Sequence, residues 1–204
     1  VIGRLVEVLS EEPLDAFFKE HILYPLGMNE TAFSVDDNEL PRFAACYTRN
    51  RDSFDLTDAP DTSSYRHKRP FLSGGGGLVS TTADYYRFCQ MMLNRGELDG
   101  KRLLGRKTVE CMTANHLPNG GDLTSLGQAV FSETRFDGVG FGLGFSIMLD
   151  PVQSQVLGSA GEYAWGGMAS TGFWIDPAEE LIGIFMTQLI PSAAYAIRRE
   201  LRVL

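Results

Sequence analysis

Lysine is scarce in this chain, confined to positions 19, 68, 101 and 107, and the formal net charge is −8. No clustered cationic surface is available to neutralise a phosphate backbone, which argues against a nucleic-acid partner. The one basic run, Arg66 to Arg69, is followed by Pro70 and reads as a solvated loop; Arg198, Arg199 and Arg202 fit the outer face of a terminal helix. Long apolar runs are missing as well: no stretch of about 18 apolar residues exists to cross a bilayer as a helix. Histidine stands only at 21, 67 and 116, and cysteine only at 46, 89 and 111, without ligand-type spacing. The sequence therefore predicts no metal and no other cofactor. An odd, unpatterned set of cysteines leans towards a reducing, cytoplasm-like compartment without fixing it. Neither repeats nor low-complexity tracts occur, which excludes a solenoid.

What is present suffices for one compact domain or a large piece of one: 204 residues, 44% of them apolar. Residues 1–9 read as the inside of an amphipathic helix, with no cap and no initiator Met, and the end of the chain stops in a helical pattern without a capping glycine. The expectation is a piece of a longer protein. Pro13 suits the first turn of a second helix with Leu14, Phe17, Phe18 and Ile22 on its apolar face, closed by Pro25 and Gly27. Residues 29–73 are polar and aperiodic, and are expected to be irregular with one short strand pair near Ala44–Thr48. Four glycines, Gly74 to Gly77, lack the lysine of a phosphate-binding loop and read as a hinge feeding a helix. Thr81 and Asp84 make a capping box. Tyr85, Phe88, Cys89, Met92 and Leu93 then form an apolar stripe of helical period, which Gly96 closes. A short helix is expected over Arg106–Thr113.

From residue 138 the period changes to two. Gly138, Gly140, Gly142 and Gly144 alternate with Val139, Phe141, Leu143 and Phe145, predicting a strand whose bare face admits a close helix. Strands follow near Tyr163–Trp165, over Thr171–Ile175 and over Leu181–Gln188, linked closely enough for an antiparallel meander. The apolar run from Leu181 to Met186 reads as covered on both faces. A terminal helix from Ser192, bearing Ala196, Leu201 and Leu204, could supply one cover. Helices first and strands last give an α+β class, an antiparallel sheet flanked by helices. Residues 1–137 would be the mainly helical and loop region, and 138–204 the final strands and helix.

The segment Gly161 to Pro177 holds the strongest chemical signal. A bulky residue followed by two glycines, Trp165-Gly166-Gly167, falls where one strand ends and the next begins. Backbone without Cβ lets a substrate approach directly and leaves peptide N–H groups uncovered, as acyl transfer requires. A tight bend between strands needs the same residues.

Trp165-Gly166-Gly167 resembles the third signature of the serine β-lactamase and penicillin-binding-protein-like superfamily. The segments Ile22 to Phe33, Gly74 to Asp84 and Gly140 to Phe145 agree with that family in content and order. The likeness is strongest to class C β-lactamase-related carboxylesterases, and implies the C-terminal part of a β-lactamase/transpeptidase-like fold. Its further sheet strands and its Ser-x-x-Lys nucleophile would lie in an N-terminal part of the same domain. Neither Ser-x-x-Lys nor Tyr-x-Asn occurs in these residues, and Gly-x-Ser-x-Gly is absent too. Ser170 and Thr171 have no His or Lys near them in sequence and read as bend residues.

By the resemblance, Trp165, Gly166 and Gly167 line the cleft and the Met168 N–H is an oxyanion donor. Trp165 replaces the lysine of true β-lactamases, and an indole cannot pair with a carboxylate. The implied substrate is a small ester or amide, neutral esters before lactams, and the chain by itself is expected to be inactive. A β-lactamase, a D-amino-acid peptidase and a non-catalytic binding homologue remain alternatives.

Overall fold

The computed structural model describes residues 1–126 and 136–203. Helix α1 (Ile2–Ser10) enters first, its Gly3 so close to Gly74 that a Cβ there would stand 3.0 Å from the Gly74 nitrogen. Pro13 caps helix α2 (Leu14–Phe18) rather than opening its first turn. The helix widens into a π turn over Lys19–Leu23 and closes as α3 (Tyr24–Leu26). Pro25 accounts for the widening: it has no N–H to give, and its ring crowds the carbonyl four residues back. Gly27, at φ 68°, reverses the chain, and the Met28 N–H closes on Leu23 O at 2.9 Å.

Within 29–73 the chain forms short 3-10 turns and an antiparallel pair, β1 (Cys46–Arg49) with β2 (Phe54–Asp58). The basic run is tied to carboxylates: Lys68 pairs with Asp15 at 2.5 Å and Arg66 with Asp37 at 3.0 Å. Thr81 then caps α4 (Thr82–Leu93), its Oγ1 accepting the Asp84 N–H at 3.2 Å. Only that half of the expected box forms. The Asp84 carboxylate instead accepts the Glu30 N–H and the Thr31 hydroxyl, both at 2.8 Å, and so fastens the chain after α3 to the start of α4.

The apolar stripe of α4 is the centre of the core. Cys89 and Met92 are fully buried with Tyr85, Phe88 and Leu93 around them, and Met91 is buried as well. Each such side chain removed from water contributes about 1.5–3 kcal/mol. A small hairpin follows, β3 (Glu97–Leu98) with β4 (Lys101–Arg102), turning on Asp99 and Gly100 at φ 50° and 75°. Aspartate-glycine with both φ positive is the preferred two-residue hairpin turn. Helix α5 (Arg106–Met112) comes next.

Five strands then form one antiparallel sheet in chain order: β5 (Val139–Phe141), β6 (Ser146–Met148), β7 (Tyr163–Gly166), β8 (Gly172–Asp176) and β9 (Leu181–Phe185), with a helical turn α6 (Pro151–Ser154) between β6 and β7. The glycine-alternating stretch is two strands, not one. The chain turns where the Gly142 N–H meets Phe145 O at 2.8 Å and Gly144 takes φ 94°. Its bare positions still serve close packing: a Cβ on Gly142 would strike the carbonyls of Met112, the last residue of α5, and of Ala114, and one on Gly140 the Asn115 side chain.

The strand expected to reach Gln188 ends at Phe185. The chain crosses to the β1–β2 pair, where β10 (Leu189–Ile190) runs parallel to β1 and makes a three-stranded sheet. The terminal helix is shorter than expected, α7 (Ile197–Glu200), with Ala196 as its cap; Leu204 lies outside the described residues. Strand alternation gives the five-stranded sheet two distinct faces. Tyr163, Phe173, Ile175, Ile182 and Ile184 pack with the α4 side chains on one. On the other, Trp174 lies over Gly183, and Arg202 stacks on Trp174 at 5.1 Å while pairing with Glu162 at 2.7 Å. The fold is α+β, a sheet flanked by helices.

Candidate active site

Strands β7 and β8 pair Trp165 with Phe173 and Gly166 with Gly172. By period two, Trp165 shares the α4-covered face with Tyr163 and Phe173, and the two glycines look to the opposite face. Trp165 is 39% exposed, and its ring meets Phe141 of β5 edge-on, centroids 5.0 Å apart.

The turn beyond β7 is tightly closed. The Gly167 N–H donates to Thr171 O at 2.9 Å, and Gly167 O accepts the Ser170 N–H at 3.1 Å. Ser170 sits at φ 68°, and its hydroxyl donates to Leu189 O at 2.6 Å, while the Leu189 N–H donates to Ala169 O at 3.0 Å. Strand β10 thus buckles the turn from behind. Met168 stands at the tip, 74% exposed, and among the described residues its N–H donates to no protein acceptor. Ser170 is buried with its hydroxyl engaged by backbone carbonyls, and Thr171 Oγ1 fills the space a Cβ on Gly167 would need. Both are turn residues.

The bare backbone at Gly166 has a different occupant from the one the sequence suggested. Arg198, expected on the outer face of the terminal helix, lies inward against the sheet. A Cβ on Gly166 would collide with its guanidinium, and one on Gly172 would stand 3.0 Å from its Cδ. Its Nη2 donates to Gly167 O at 3.4 Å. Arg202 also turns inward, to Glu162. A ligand reaching the Trp165-Gly166-Gly167 segment therefore meets it from the Trp165 side or at the Met168 tip. The sequence carried half of this signal, a gap made by paired glycines on one face, but not the identity of the side chain that fills it. Phe141 was missed because its stretch was read as one strand.

Titratable groups near β7 are governed by burial. The carboxyl of Glu162 is pushed up to about 7 by desolvation, against the pull of Arg202. The hydroxyls of Tyr163 and Tyr85 are raised by the same cause, and the Cys89 thiol to about 12, so none of these is a base or nucleophile near neutrality. Among the described residues no three His, Cys, Asp or Glu side chains gather as a metal site, and no helix is long and apolar enough to cross a membrane.

Known proteins are similar to this chain in sequence and fold. The family model described as Beta-lactamase matches residues 1–204. Protein Rv1367c of Mycobacterium tuberculosis is 33% identical over 199 residues, covering 94% of this chain and 47% of that protein. Esterase EstB of Burkholderia gladioli is 26% identical over 206 residues, covering 92% of this chain and 47% of its own length. Among solved structures, simvastatin synthase (LovD) from Aspergillus terreus matches with a TM-score of 0.79 at 24% identity, covering 98% of this chain and 50% of that one. The chain spans about half the length of the curated relatives it matches.

Proposed function

This chain belongs to the Beta-lactamase family, and from that footing we propose that it forms the oxyanion-side wall of a serine hydrolase site that opens neutral esters through an acyl-enzyme. One observation carries the reading: the Met168 N–H, without a protein acceptor among the described residues, at the tip of a braced turn that follows the partly exposed Trp165. A serine hydroxyl attacks the ester carbonyl, whose oxygen becomes anionic; a fixed N–H aimed at that oxygen stabilises it without reorganising. The alcohol then leaves, and water releases the acid. No Ser-x-x-Lys occurs among the 204 residues, and in this reading the attacking hydroxyl and its proton acceptor belong to residues other than these.

Trp165 gives the substrate class. Its indole offers an apolar face and one N–H donor but no cation for a carboxylate. An ester with an apolar acyl chain suits that wall better than an anionic lactam, in keeping with the similarity to a protein named as an esterase. The test is hydrolysis of p-nitrophenyl butyrate and of a chromogenic cephalosporin, by the full-length protein that contains these residues and by the 204-residue chain. Faster turnover of the ester by the former, with none by the latter, is expected. A preference for the cephalosporin would overturn the ester reading. No turnover of either by the full-length protein would favour a non-catalytic homologue. A fluorophosphonate adduct on a serine of the isolated native chain would refute the division of the site.

A further inference from the structure

The carbonyl held by Arg198 belongs to the same peptide unit as the Met168 N–H. That peptide is trans, since the cis bond among the described residues is Ile190–Pro191. In a trans peptide the C=O and the N–H point in opposite directions in one plane, so whatever fixes the Gly167 oxygen also aims the Met168 hydrogen. Among the described residues two donors hold that oxygen: the Ser170 N–H at 3.1 Å, within the turn, and Arg198 Nη2 at 3.4 Å, from the sheet face opposite Trp165.

We propose that Arg198 is a positioning residue for the oxyanion donor: its guanidinium holds the Gly167 carbonyl and so directs the Met168 N–H towards the cleft. This rests on the reading of Met168 given above. The seat for the guanidinium is built into the strands, because Gly166 and Gly172, cross-strand partners, both lack the Cβ that would displace it. A cation on the carbonyl also polarises the peptide and strengthens its N–H as a donor. Lysine could deliver the charge but not the planar fork, and glutamine a neutral donor of shorter reach.

The experiment uses the full-length protein with selectively 15N-labelled methionine, the Met168 resonance being assigned through Met168→Leu, and compares wild type with R198K, R198Q and R198M. In R198Q and R198M the Met168 amide resonance is expected to move, with R198K closer to wild type. On p-nitrophenyl butyrate, kcat is expected to fall about tenfold in R198Q and R198M, a fraction of the 10²–10³ lost when such a donor is removed, with KM held within about twofold. R198K should recover part of the loss, and its thermal unfolding checks that the fold is kept. An unmoved Met168 resonance, or a loss confined to KM, would overturn the role of Arg198. If the wild-type protein hydrolyses no ester, the functional reading fails on its own, and the Met168 resonance alone decides whether Arg198 sets the peptide.

Discussion

Phe141 and Trp165 meet edge to face, with centroids 5.0 Å apart and planes inclined at 74°, joining β5 to β7 across the intervening strand β6. The contact packs one edge of a partly exposed indole, as the wall proposed for Trp165 would need. Phe141→Ala removes it. Such pairs are worth about 0.5–1.5 kcal/mol beyond buried area, so with the lost packing the variant should be roughly 2 kcal/mol less stable to urea. In a Trp174→Phe background, its Trp165 emission should shift to the red. Unchanged emission would mean that the ring is held without Phe141.

Asp84 is a buried carboxylate with two loop donors on it, at the first turn of α4. Asp84→Ala leaves the Glu30 N–H and the Thr31 hydroxyl without their acceptor, each costing about 1–3 kcal/mol when buried. A loss of about 2–4 kcal/mol in denaturant titrations is expected. Thr81→Ala, which removes the cap alone, should cost about 1 kcal/mol. The double variant should fall short of the sum, because both residues sit in one network.

The contrast between those residues and Arg198 shows what the sequence could disclose. The α4 stripe and the meander β7–β9 were legible because each is a local period that a single element satisfies. The glycine alternation before Phe145 misled because a flat strand and a hairpin with a glycine turn have the same pattern; only the Gly142–Phe145 hydrogen bond separates them. Pro25 was read as a helix terminator, yet the chain absorbed it by widening one turn. The parallel pairing of β10 with β1, and the seating of Arg198 on Gly166, join residues far apart in sequence. Two bare positions announce a vacancy on a sheet face, and nothing local says which distant side chain fills it. The glycines and the resemblance mark the Trp165-to-Met168 segment in the sequence; the bracing behind it comes from β10 and Arg198, which no local pattern links to it.

The Glu162 carboxyl gives stability an unusual pH dependence. Its native value is raised to about 7, first by burial, with Arg202 opposing. A raised acid binds its proton more tightly in the folded than in the unfolded state, so its stabilising contribution is complete below the unfolded value near 4.5 and is lost as pH rises through about 7. Urea midpoints should therefore decline between pH 5 and pH 8 and level off above. Glu162→Gln should remove that decline. A wild-type midpoint rising across this interval would contradict the assignment.

Helix α1 carries an apolar stripe that nothing in the described structure covers: Ile2, Leu5 and Leu9 are all more than half exposed, at helical spacing. Contiguous exposed apolar surface drives association, so the 204-residue chain by itself should be poorly soluble and polydisperse. Leu5→Lys with Leu9→Lys should raise the monomer fraction in sedimentation velocity without altering circular dichroism. A monodisperse wild-type monomer would show that the stripe is no such liability.

Trp165→Lys asks the sharpest question of the proposed site. The substitution keeps a long side chain at the end of β7, removes the ring that packs on Phe141, and places a cation on the wall proposed to face the substrate. A charge-assisted hydrogen bond of that kind contributes about 1.5–3 kcal/mol, or roughly ten- to a hundredfold in kcat/KM for a substrate that can use it. A neutral ester cannot, and it loses its apolar wall as well. In the full-length protein the ratio of cephalosporin to p-nitrophenyl butyrate turnover should thus rise by at least about tenfold, most of it through KM for the cephalosporin. Fluorescence from Trp174 and the thermal transition check that the variant is folded. If the ratio stays where it was, the side chain at 165 does not face the substrate, and the wall of the cleft must be drawn from other residues.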